Sequence, residues 1–278
     1  MSEGGGQIDF TRYERYLEEG IAFDEPRPGV LRLQLTRSDR WNAIPIRLHD
    51  SMPLLFAEIA EDQSVRAFMI AGTGDVFSSG GDVDEGMKPR HAGQLALLQY
   101  TAVRIITRLL EIPQPTIAVV NGPAIGFAVS LALHCDFVIA SENATFYDSH
   151  AAFGAAPGDG YVVIAQAALP PAIAKDVLYG GRTLTAAEAE HWGLVNRVAP
   201  REQLEEEAFA QLARVFAMAP LAVRMGKMFA NAELRARAEQ TLNMGLAAEL
   251  LTIMSDDFNN AVEGFFRTRK FTRDWKGR

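Results

Sequence analysis

The chain has 278 residues, 48% of them apolar and 22% charged, which is the make-up of an ordinary globular protein with enough apolar material for an ample core. A net charge of −8 argues against nucleic acid and anionic membrane surfaces as partners, since both are held by basic surface. No apolar run approaches the ~20 residues of a membrane span, and the opening MSEGGGQIDF lacks a charged-then-apolar leader, so a cytoplasmic protein is expected.

Residues 1–9 read as a flexible lead and residues 10–19 as a short helix. Residues 21–24 and 30–36 form a hairpin around the Pro26-Arg27-Pro28-Gly29 turn. Residues 46–59 place apolar side chains at 48, 52, 55, 56 and 59, the spacing of one buried helix face. Residues 67–71 are a buried strand, and a loop over 86–93 leads into a long helix ending near 110. A second buried strand, 116–120, is rich in β-branched residues and bounded by Pro115 and Asn121-Gly122.

The next turn contains Gly122 and Gly126, where the backbone can take positive φ or approach a ligand closely. A helix starts near Phe127, and its first N–H groups, at the positive end of the helix dipole, suit an anion or oxyanion. Cys135, the only cysteine, sits in an apolar context and reads as a buried small hydrophobe. A strand over 136–140 follows, then a loop with His150 and the turn Pro157-Gly158-Asp159-Gly160. On its own, Asp159 there is a turn residue or the N-cap of a helix beginning at Tyr161. Repeated strand–helix units imply an α/β fold with crossover connections, whereas residues 201–275 are helical and charge-rich.

Several of these segments share the order of one known signature. Asn121-Gly122, Cys135-Asp136, Glu142-Asn143-Ala144 with Phe146, and the 157–160 turn are preceded by Phe77-Ser78-Ser79-Gly80-Gly81-Asp82. They are followed by Gly180-Gly181-Arg182, Ala187-Glu188 and Trp192-Gly193-Leu194-Val195-Asn196. Over nearly its whole length the chain resembles the crotonase (enoyl-CoA hydratase/isomerase) superfamily. The resemblance implies a ClpP/crotonase-like spiral of ββα turns over residues 1–200, holding the active site. It implies that the helical region 201–278 packs across subunits of a homotrimer or dimer of trimers. It also implies an oxyanion hole built from the backbone N–H groups of Gly81 and Phe127, where losing one donor typically costs ~3 kcal/mol.

In enoyl-CoA hydratases two glutamates handle water, and their positions fall here on Ser130 and His150. Serine cannot replace a carboxylate as the base that splits water. The resemblance therefore narrows to the superfamily's β-diketone hydrolase branch. That branch carries a histidine in this loop, an aspartate in the PGDG turn, an early tryptophan and His-Asp pair, and a glutamate on a C-terminal helix. These map to His150, Asp159, Trp41, His49 (with Asp50) and Glu249. The branch implies a cofactor-free hydrolase that cleaves a carbon–carbon bond of a cyclic or bicyclic β-diketone by a retro-Claisen reaction, with no metal. His150 would activate water, its tautomer fixed by Asp159, with Glu249 and His49 as further catalytic groups.

Trp41 and His134 would touch the small-molecule substrate, although Trp41 also suits a core cap and His134 a satisfied core histidine. His49 also fits an exposed helix position, and Glu249 an ion pair with a neighbouring arginine. Two other functions stand beside the diketone reading. One is a CoA-thioester enzyme, because residues 263–278 resemble the tail of CoA-using crotonases. The other is a catalytically silent scaffold that binds protein or RNA, against which the acidic charge and the His/Asp pair speak.

Overall fold

The computed structural model describes residues 7–86, 92–271 and 274–277; the expected lead up to residue 6 and most of the 86–93 loop lie outside them. A 3-10 helix, Phe10–Glu19, leads into β1 (Ile21–Asp24) and β2 (Val30–Leu35), which pair antiparallel as expected. Helix α1 (Ile46–Glu61) connects to β3 (Ala67–Gly72), and its side chains at 48, 52, 55, 56 and 59 are all buried. Helices α2 (Val83–Gly86) and α3 (Ala92–Glu111) precede β4 (Thr116–Val120) and β5 (Ala124–Ile125). Helix α4 (Phe127–Leu133), β6 (Phe137–Ser141) and β7 (Thr145–Tyr147) come next. Helices α5 (Gly160–Ala168) and α6 (Pro171–Leu178) are followed by β8 (Leu184–Thr185), α7 (Ala186–His191) and β9 (Arg197–Ala199). The chain finishes in helices α8 (Leu204–Phe216), α9 (Pro220–Ala230), α10 (Ala232–Ile253) and α11 (Asp256–Thr268).

The main sheet runs β1-β2-β3-β4-β6-β9, parallel from β2 onward. A small second sheet, β5-β7-β8, stands beside it. Alternation of side chains, two residues per repeat, buries both faces of the main sheet. Leu31, Leu33, Phe68, Ile70, Ala118 and Val138 belong to the larger core, which is completed by α1, α3, α4 and α5. Val30, Met69, Ile117, Val119 and Ile139 meet Leu204, Ala208 and Leu212 of α8 on the other face. Cys135 is buried as expected, and burial pushes its thiol up to about 12.

The helices after Pro200 do not form a separate core. Ala238, Leu242 and Leu246 of α10 join the larger core. The side chain of Lys227 in α9 is buried, its ammonium 2.6 Å from Asp136 Oδ2 and donating to Gln114 O at 2.8 Å. Among the described residues no single helix is long and apolar enough to cross a membrane.

Candidate active site

The site is assembled where α4, the loop after β7, the start of α5 and the middle of α10 converge. Gly126, the residue before α4, has φ 55°, a region open to glycine and strained for a side chain. Its N–H donates to Tyr147 O at 2.8 Å, which binds the start of α4 to the segment just before His150. Gly80, at φ 82°, presses on the same corner: a Cβ there would lie 2.5 Å from Ile125 O and 3.1 Å from Phe127 N. Gly81 follows, bridged to Ile44. Among the described residues neither the N–H of Gly81 nor that of Phe127 has an acceptor. His49 of α1 reaches this corner, its ring centroid 5.5 Å from that of Phe127 and its Nδ1 3.3 Å from Asp50 Oδ1.

One turn beyond Phe127, Ser130 is fully buried and its Oγ has no partner. His134 is buried too; its Nδ1 lies 2.8 Å from Ser130 O, and because a carbonyl only accepts, Nδ1 carries the proton. Burial, with that hydrogen bond opposing, lowers the imidazole's pKa to about 4, so it is neutral, and its Nε2 has no partner.

His150 is held by Asp148, not by Asp159. Asp148 Oδ1 accepts from the backbone N–H of His150 at 2.9 Å and lies 2.6 Å from its Nδ1. The reason is local: an acid two residues before the histidine closes a tight turn that delivers its carboxylate to both nitrogens. Asp159 is instead the N-cap of α5, its Oδ1 accepting from Tyr161 N at 3.0 Å. The expectation that Asp159 fixes the His150 tautomer is corrected accordingly: the carboxylate hydrogen-bonded to Nδ1 is that of Asp148. Asp159 still faces the site: one oxygen each from Asp148 and Asp159 and one nitrogen of His150 lie within 4.8 Å of one another. Those atoms could reach a single ion, but the close Nδ1–Asp148 hydrogen bond already accounts for their convergence.

On the far side of the imidazole, Glu249 Oε1 is 3.8 Å from Nε2. Helix α10 comes this close because Gly158 and Gly245 pack backbone to backbone: a Cβ on Gly158 would sit 2.5 Å from Gly245 O and 2.7 Å from Glu249 Oε2. The loop is pinned further on, where Ala156 N donates to Thr252 Oγ1 at 2.8 Å and Phe153 packs edge-on against Phe265 and Phe271.

Burial pulls the His150 pKa down, but the charges of Glu249, Asp159 and Asp148, with the Asp148 hydrogen bond, outweigh it and leave His150 well above its ordinary value. Burial pushes Glu249 up to about 7, helped by Asp159 and Asp148 and opposed by His150. Burial also raises Asp159, with His150 opposing. The site is thus an imidazolium among carboxyl groups, one of which titrates near neutrality, and it is poised for proton transfer. His150 is therefore an imidazolium, held in that form chiefly by the charge of Glu249 and by the charge and hydrogen bond of Asp148.

Of the residues singled out in the sequence, His150, Asp159 and Glu249 come together here, and His49, Phe127 and Gly81 lie at the corner where α4 begins, while His134 is buried farther along, at the end of α4. Trp41 is not brought in; its side chain is 61% exposed, following the short 3-10 turn Ser38–Arg40. Asp148 was missed, although its place two residues before His150 was a usable signal.

A sequence profile described as Enoyl-CoA hydratase/isomerase matches residues 25–278. A carnitinyl-CoA dehydratase of Proteus mirabilis (strain HI4320) is 32% identical over 260 residues, covering 91% of this chain and 97% of that protein. The crystal structure of an enoyl-CoA hydratase/isomerase from Mycobacterium paratuberculosis superposes with a TM-score of 0.83 at 27% identity, covering 88% of this chain and 98% of that one. That of an enoyl-CoA hydratase/isomerase from Xanthobacter autotrophicus Py2 gives 0.80 at 29% identity, covering 90% and 93%. These relatives are named for CoA-linked hydration chemistry, and they overturn the reading of the chain as a β-diketone hydrolase acting by retro-Claisen cleavage. That reading rested on the missing carboxylates at Ser130 and His150, whereas the fold gathers carboxylates from Asp148, Asp159 and Glu249 instead. With its α/β crotonase fold and this profile match across most of its length, the chain belongs to the enoyl-CoA hydratase/isomerase family of the crotonase superfamily.

Proposed function

We propose that the protein is a CoA-thioester enzyme of the hydratase/dehydratase kind, interconverting a 3-hydroxyacyl-CoA with its 2-enoyl-CoA and water. The observation that supports it most is the His150 imidazole set between Asp148 and Glu249, behind a corner where two backbone N–H groups have no acceptor among the described residues. The relatives named carnitinyl-CoA dehydratase point to the same class of reaction.

In this reading the thioester oxygen accepts from Gly81 N–H and Phe127 N–H, which lowers the cost of negative charge developing there. Glu249, titrating near neutrality, removes the proton from Cα, since a base works best with a pKa close to the working pH. The C–H electron pair becomes the new double bond, the Cβ–O bond breaks, and the imidazolium of His150 protonates the departing hydroxyl to water. Glu249 has then gained a proton and His150 has lost one, so transfer between the two neighbours resets the site. Asp148 keeps the ring oriented and stabilises its charged form. Hydration runs the same steps backwards. His49 and Phe127 would border the acyl group beside the thioester carbonyl, and His134 would contact the substrate through Nε2.

The test is an ultraviolet assay of enoyl thioester formation and loss on a panel of 3-hydroxyacyl-CoA and 2-enoyl-CoA compounds, with His150→Ala as control. Turnover by the wild type that falls about 10²–10⁴-fold in His150→Ala is the expected result. Wild-type protein inert on every thioester, or His150→Ala at full activity, overturns the proposal.

A further inference from the structure

The charge-bearing groups around His150 do not balance by simple pairing. An imidazolium has two N–H donors. One faces Asp148 at 2.6 Å and the other faces Glu249 at 3.8 Å. Asp159 is the third carboxyl and receives neither. Its Oδ1 is taken by the Tyr161 N–H, while its Oδ2 is buried with no partner. The groups that face it are Asp148 and His150 from the loop after β7, Glu249 from α10, Ser130 from α4 and Tyr161 from α5. Among the described residues the Tyr161 hydroxyl is likewise buried and unpartnered, while Ser130 Oγ, buried and without a well-formed hydrogen bond, lies close enough to Asp159 to favour its ionised form. An ionised Oδ2 would be a buried charge beside two other carboxyl groups, a cost from burial and repulsion that outweighs the opposing pull of His150, Tyr161 and Ser130.

We propose that Asp159 works as a neutral carboxylic acid, its Oδ2 hydroxyl a fixed hydrogen-bond donor to the water oxygen that is lost or added. This rests on the dehydratase reading for the identity of that oxygen. Asp159 transfers no proton in this role. It holds the oxygen near Cβ while Glu249 and His150 carry the protons. The N-cap bond orients the group, because an acceptor must face the Tyr161 N–H and the donor is therefore directed into the site. Burial, which raises the Asp159 carboxyl above its usual range, works in the same direction.

Two substitutions separate this role from that of an ionised partner of His150. Asp159→Asn keeps an oxygen toward Tyr161 N–H and places an NH₂ donor where Oδ2 was, so turnover should stay within about 10-fold of wild type. Asp159→Ser keeps a cap but not the reach, and kcat should fall about 100-fold with KM little changed. Protonation is read independently of activity from the carbonyl stretch of an un-ionised carboxylic acid in the infrared spectrum of the wild type. At about pH 8, above the titration of Glu249, the band should be present, and Asp159→Asn should remove it. Absence of the band, or an Asn variant as impaired as the Ser variant, overturns the proposal. A wild type that processes no CoA thioester would refute the functional reading instead, with the infrared band still deciding the state of Asp159.

Discussion

Replacing Glu249 by glutamine keeps the shape of the side chain and removes its charge, so its effect on stability should depend on pH with a definite sign. Burial, ahead of repulsion from Asp159 and Asp148, raises this carboxyl from 4.5 to about 7, with His150 opposing. A folded-state pKa above the unfolded one means that the folded protein binds more protons between the two values. Wild-type stability therefore falls as pH rises through that window. A shift of roughly 2.5 units corresponds to about 3 kcal/mol. The side chain is 22% exposed, which screens part of this. The variant also loses the attraction that helps keep His150 protonated. A net gain of about 1–2 kcal/mol for Glu249→Gln at about pH 8, relative to its effect at about pH 5, is the working figure. Urea unfolding of both proteins across that range measures it, alongside a fall in turnover of about 10²–10³-fold. A stability difference that does not change with pH, or one that turns against the variant as pH rises, would refute the reasoning.

Two more substitution and assembly tests follow from the packing. Gly158→Ala places a Cβ against Gly245 O and Glu249 Oε2, and because a helix carbonyl cannot step aside, α10 must shift. A stability loss of about 1–3 kcal/mol and a drop in kcat should appear together in thermal melts and steady-state kinetics, and a variant unchanged in both would contradict the account. Leu221, Phe229, Met244, Leu251 and Met254 lie exposed on α9, α10 and the turn after α10. The helical region after Pro200 is accordingly expected to close a trimer or a dimer of trimers, and sedimentation showing a stable monomer would count against it.

Most of the framework was legible in the chain because it is local. Short apolar, β-branched runs bounded by turn residues placed the strands, the 3.6-residue repeat placed α1, and glycines at Gly80 and Gly126 stand at the corner that brings two backbone segments together. Small differences, such as the last helix ending at Thr268 rather than running on to Trp275, reflect how weakly a helix end is encoded. His150 and Glu249, 99 positions apart and 3.8 Å from each other in the fold, were both singled out only because a family resemblance carried them, not because periodicity could.

What the sequence by itself determined is therefore the fold class and the superfamily. It did not determine which carboxylate serves which purpose. Counting hydratase glutamates by position suggested that ordinary hydratase activity had been lost, yet the fold brings carboxyl groups from a loop, a helix cap and a distant helix to the site. Asp148 rather than Asp159 took the imidazole because a two-residue turn competes at short range with a helix that also needs its first N–H capped. The protonation of His150, Glu249 and Asp159 depends on burial and on their mutual distances, and those exist only once α4, α5 and α10 have packed.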